Sequence, residues 1–158
     1  ILSDGSLDYN DEILSSFDFV IASVHSNLQM DEEKANRRLL KAIENPHTVI
    51  LGHLTGRLLL SRAGYPVNHH KIIDACAANK VIIEINANPY RLDIDWRWIP
   101  YCLDKGVLLS INPDAHNTQG IGHVKYGVYS ARKGGLTKSH TLNTLNVAEV
   151  AQAFSKKW

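Results

Sequence analysis

Four apolar runs recur along this chain at intervals of about thirty residues, the length of one strand–helix–strand unit. Each run carries a polar side chain in it or close behind it, His25, His53, Glu84 and Asp114, again about thirty residues apart. The runs, 18–25, 48–53, 81–87 and 107–112, are apolar enough to be strands covered on both faces. Helical patterns separate them over 31–45, 68–79 and 96–105, and Pro100 is tolerable only in the first turn of the third. A further helix is expected within 121–133, and short helical segments within 138–157. Sequential parallel strands with right-handed crossovers wind into an open sheet or close into a barrel. No Gly-x-Gly-x-x-Gly follows any strand, which disfavours a dinucleotide-binding sheet. A barrel is favoured, because consecutive strands deliver polar groups to the same end, where such barrels do their chemistry. Four strands cannot close one. The expected fold is therefore α/β, an incomplete barrel. The opening Ile1-Leu2, without an initiator Met, suggests a piece of something longer.

Composition excludes several classes. The 158 residues suit one domain, and a net charge of +1 is no footprint for tight nucleic-acid binding by the chain as a whole. Cys76 and Cys102 stand alone in apolar helical patterns and are expected to be buried thiols. No targeting or spanning segment is evident, which points to a cytoplasmic protein with no membrane partner.

The strand ends carry the chemistry. Alternation puts Phe19, Ile21, Ser23 and His25 on one face, and Val49, Leu51 and His53 on one face of the next strand. Imidazoles on adjacent strand ends can share one ion. After the fourth run, Asn112-Pro113-Asp114-Ala115-His116 offers a carboxylate and an imidazole that can face one way, a pairing suited to Mn²⁺, Mg²⁺ or Zn²⁺. Glu84, Asn86 and Asn88 share a face. A carboxylate inside an apolar strand must be paired or bind a cation, so Glu84 is a ligand, an acceptor steadying a ligand histidine, or the partner of Arg57 or Arg91. Arg57 and Arg91 lie in loops at the same rim, and their guanidinium forks match phosphate oxygens. His47, His69, His70, His123 and His140 lack the strand-end setting and are read as surface or cap residues.

Together these stretches resemble the PHP domain, the polymerase and histidinol phosphatase family, in particular the C-terminal PHP domain of bacterial family X DNA polymerases. The resemblance rests on Asp4-Gly5-Ser6-Leu7-Asp8-Tyr9, Val20 to Ser26, Gly52 to Leu59, Glu84 to Asp93 and Asp114-Ala115-His116, and it runs through nearly all of 1–158 in order. It implies a distorted seven-stranded (β/α)7 TIM-like barrel with up to three divalent ions, Mn²⁺ or Zn²⁺, at the C-terminal rim. By this likeness His25 and His53 are paired ligands of one ion, Asp114 a ligand of a second and His116 of a third, with Asp114 and His116 nearest the reaction. Arg57 and Arg91 would bind substrate phosphate, and Glu84 and Asn86 would support the ligands. The family's N-terminal His-x-His, a mid-chain His and a bridging Glu have no counterpart here, so the expectation is the C-terminal part of such a domain. The implied function is a metal-dependent phosphoesterase: a 3′–5′ exonuclease or 3′-end-processing domain acting in DNA repair on a DNA 3′ end, beside polymerase domains of the same full-length chain. The alternatives are a small-molecule phosphatase resembling histidinol phosphatase, and a non-catalytic PHP scaffold that braces a polymerase.

Overall fold

A computed structural model describes residues 1–155. Four parallel strands form one sheet: β1 (Val20–Ala22), β2 (Thr48–Leu51), β3 (Ile82–Asn86) and β4 (Leu109–Asn112). Their spatial order is their chain order, as in successive staves of a parallel barrel, with no reversal of the doubly wound kind. Each strand is shorter than its apolar run. His25 and His53 lie beyond the ends of β1 and β2, whereas Glu84 and Asn86 lie within β3.

Among the described residues six α-helices accompany the sheet: α1 (Asp11–Leu14), α2 (Glu32–Glu44), α3 (His69–Ala78), α4 (Ile99–Asp104), α5 (Val124–Lys133) and α6 (Val147–Ser155). The starts of α2 and α3 follow from local chemistry. The Asp31 side chain accepts from Lys34 N at 2.7 Å, and that of Asn68 from Lys71 N at 3.0 Å, each satisfying a donor that the helix leaves open. The pattern over 96–105 divides into a 3-10 turn, Trp96–Trp98, and α4, with Pro100 at the start of α4 where no amide donor is needed. The short α1, absent from the expectation, is capped by Asn10, whose side chain accepts from Ile13 N at 3.0 Å. Cys76 and Cys102 are both buried.

The register separates the two faces of the sheet. Ala22, Leu51, Ile83 and Leu109 are cross-strand neighbours, and with Ile85 and Ile111 they join the main core, which includes Leu39 and Ile43 of α2 and Ile72 and Ile73 of α3. The opposite face changes character along its length. Ile50 and Ile82 at its lower end are covered by Leu142, Leu145, Val150 and Phe154. Above them stand Ser23, Gly52, Glu84, Asn86, Ser110 and Asn112. The free edge of β4 is partly satisfied by the tail: Leu109 bridges Thr141, and the Asn143 side chain exchanges two hydrogen bonds with the Ile111 backbone. Gly127 lets α5 press on the strand ends; a Cβ there would lie 2.5 Å from Ala87 Cβ and 2.6 Å from Ile111 Cγ2.

Candidate metal centre

His25 and His53 meet. Their Nε2 atoms are 3.3 Å apart, with the rings edge to face. Two nitrogens about 2.1 Å from one tetrahedral ion stand roughly 3.4 Å apart, so this span fits a shared cation. His53 Nδ1 is buried with no hydrogen-bond partner, and burial lowers the His53 pKa to about 4, aided by the positive charge of Arg91. The ring is thus held in the neutral form that a metal requires. His25 is exposed, and its Nε2 also lies 3.3 Å from Ser23 Oγ.

His53 does not arrive by the strand alternation expected of it, whereas His25 keeps Ser23 beside it. β2 stops at Leu51, Gly52 faces Ile21 and Glu84, and His53 has a left-handed φ of 25°. The turn is anchored by Glu84: Oε2 accepts from His53 N at 2.7 Å and from Asn86 Nδ2 at 3.1 Å, while Oε1 accepts from Asn112 Nδ2 at 3.0 Å. Of the roles open to Glu84, the geometry gives it that of an acceptor fixing the His53 loop; neither Arg57 nor Arg91 pairs with it among the described residues. Burial raises the Glu84 pKa, and the three donors offset part of that cost.

Asp114 and His116 form a second group beside the first. Asp114 Oδ2 lies 3.1 Å from Arg91 Nε and accepts from Asn86 Nδ2 at 3.1 Å. Asn86 thereby links Glu84 to Asp114. His116 is exposed; its Nδ1 lies 2.9 Å from the Asp114 carbonyl oxygen and 4.0 Å from Oδ1. Among the described residues, no three His, Cys, Asp or Glu side chains gather around one point. The four residues thus stand as two adjoining pairs, joined through Asn86 and Arg91.

Arg57 departs from its expected place as a phosphate clamp. Its guanidinium is 2.8 Å from Asp95 Oδ2 and donates to the carbonyls of Arg91 and Leu92, so it braces the loop that carries Arg91. His47, expected at the surface, is buried. Sequence reasoning missed three organisers, Asp93 and Arg38 buried and Asn112 partly so. Asp93 accepts from Thr55 N and Oγ1 at 2.8 and 2.9 Å, Asn112 supports Glu84, and Arg38 donates to the carbonyls of Ile1, Leu2, Ser26 and Asn27. A charged residue on the inward stripe of α2 was the available signal for Arg38; Asp93 had none.

The chain is similar to the DNA polymerase/3′-5′ exonuclease PolX of Bacillus subtilis, with 40% identity over 157 residues, 99% of this chain and 27% of that protein. It is 25% identical over 163 residues to a probable phosphatase of Thermoanaerobacter sp. (98% of this chain, 64% of the relative). It is 30% identical over 132 residues to a probable phosphatase of Clostridium acetobutylicum (77% and 50%). The chain thus spans about a quarter of the polymerase and between half and two thirds of the phosphatases. No family model matches it. The likeness supports a domain of PHP type. No helix among the described residues is long and apolar enough to cross a membrane.

Proposed function

We propose that this chain is the C-terminal part of a PHP-type metal-dependent phosphoesterase domain, an incomplete (β/α)7 barrel, which processes DNA 3′ ends as a 3′–5′ exonuclease. It would act in the cytoplasm, in DNA repair, joined to polymerase domains of a longer chain. The observation that carries the reading is the 3.3 Å approach of His25 and His53 Nε2 at the sheet's C-terminal end, beside the Asp114–Arg91 pair. Divalent ions, Mn²⁺ or Zn²⁺, would supply activation of a water and neutralisation of phosphate charge. His25 and His53 would hold one such ion, and Asp114 and His116 would serve others at the mouth. Arg91, held by its ion pair with Asp114, would meet a phosphate oxygen. Glu84 and Asn86 hold the two groups in register.

Two other readings have an observation each. The relatives named as probable phosphatases favour a small-molecule phosphomonoester. The lack of a three-ligand cluster among the described residues favours a scaffold. One assay separates them: Mn²⁺-dependent nucleotide release from a 3′-labelled strand, run beside phosphate release from histidinol phosphate. The proposal expects nucleotide release that Asp114→Asn and His25→Ala each reduce by at least about 100-fold. Release of phosphate alone supports the phosphatase, and activity indifferent to both substitutions removes the assigned site.

A further inference from the structure

Two apolar side chains at the rim have no part in the chemistry proposed above. Tyr90, which immediately precedes Arg91, is 67% exposed, and Leu60 is completely exposed at 108%. Single exposed apolar residues are ordinary. These two lie on loops stapled to each other, since Leu59 N donates to the Tyr90 carbonyl at 2.6 Å. Both loops are stiff. Asn86 Oδ1 accepts from Asn88 N, Asn88 Oδ1 accepts from Tyr90 N, and the amides of Arg91 and Leu92 return to the Asn88 carbonyl. Arg57 clamps the far side of that loop through the carbonyls of Arg91 and Leu92. Opposite it, Leu58 and Arg62 exchange backbone hydrogen bonds of 2.9 and 2.7 Å, which puts Leu60 at the tip of a tight turn with a left-handed φ of 63°. The fold therefore holds an aromatic ring and an aliphatic tip out in solvent on fixed backbone, next to the arginine that pairs with Asp114.

We infer that Tyr90, flanked by Leu60, is the platform on which the base next to the bound phosphate stacks, so that this rim selects nucleotide phosphodiesters over phosphate esters without an aromatic base. The inference rests on the phosphoesterase reading and names its substrate class. A π face accepts any base, and an aromatic side chain on a rigid loop loses little freedom on binding. Stacking also agrees with a net charge of only +1, because it needs no dense phosphate-neutralising surface.

The test titrates the chain, with Mn²⁺ present, into a single-stranded DNA trinucleotide bearing 2-aminopurine at its 3′ end and reads base fluorescence. Inorganic phosphate is titrated separately by calorimetry. The parent is expected to quench the base. Tyr90→Ala should bind the trinucleotide about tenfold more weakly, Tyr90→Phe within about twofold of the parent, and Leu60→Gly several-fold more weakly, with phosphate affinity equal in all four. Parent-like binding and quenching by Tyr90→Ala would overturn the platform while leaving the phosphoesterase reading in place. An equal loss of phosphate binding in Tyr90→Ala would also overturn it, by assigning the ring a structural role. A parent that binds neither probe overturns both readings.

Discussion

Glu84 shows how a single side chain is tolerated where the sheet should be apolar. Its two oxygens meet three N–H donors and no cation among the described residues, so it is suited as an anion-shaped acceptor. Glu84→Gln turns one oxygen into a donor facing donors. The expected cost is about 1–3 kcal/mol in urea unfolding, with lower affinity for Zn²⁺ because the His53 loop loses its anchor. His53 contributes a pH dependence of defined sign. Its folded pKa is about 4, below the ordinary 6.5, so between these values the unfolded chain takes up the proton and the folded chain does not. Stability in the metal-free protein should therefore fall as pH drops from 6.5 towards 4, by on the order of 3 kcal/mol from this group. Glu84, with its raised pKa, acts in the opposite sense. The comparison that isolates the histidine is the parent against His53→Gln, whose stability curve should lack this acid loss.

At the scale of elements, the site depends on loops pinned from below. Arg38, only 2% exposed, reaches from α2 to four carbonyls in the N-terminal segment and in the loop after β1. Arg38→Ala leaves those acceptors buried or loosened, and should cost about 3 kcal/mol in a denaturant melt while loosening the His25 loop. Gly127 fixes how closely α5 meets β3 and β4. Gly127→Ala requires backbone to move, and a loss of about 1–3 kcal/mol in the same measurement is expected. Elements and their order were legible in the sequence because apolar runs and helix caps act locally: Asp31, Asn68 and Pro100 all occupy the positions their chemistry favours. The strand ends were less legible. Alternation predicts a direction only while the chain remains extended, and at Gly52-His53 it does not.

For the whole molecule, the beat of about thirty residues did specify parallel strands in sequence order with polar groups at one end. It could not specify the partners of the arginines. Arg57 finds Asp95 across two loops that are stapled together though distant in sequence, and Arg91 finds Asp114 of the loop after β4; nothing local encodes either. Two groupings that spacing did suggest are found side by side: His25 with His53 across neighbouring loops, and Asp114 with His116 within one. The apolar lower half and polar upper half of this face of the sheet follow from the register.

The central claim is that His25 and His53 grip one cation, and calorimetric titration of Zn²⁺ into the metal-free chain near neutral pH tests it most directly. The account predicts a site of one ion per chain whose affinity falls by at least about 100-fold in His25→Ala and in His53→Ala alike. Parent-like Zn²⁺ binding by both variants, or no binding by the parent, would contradict it.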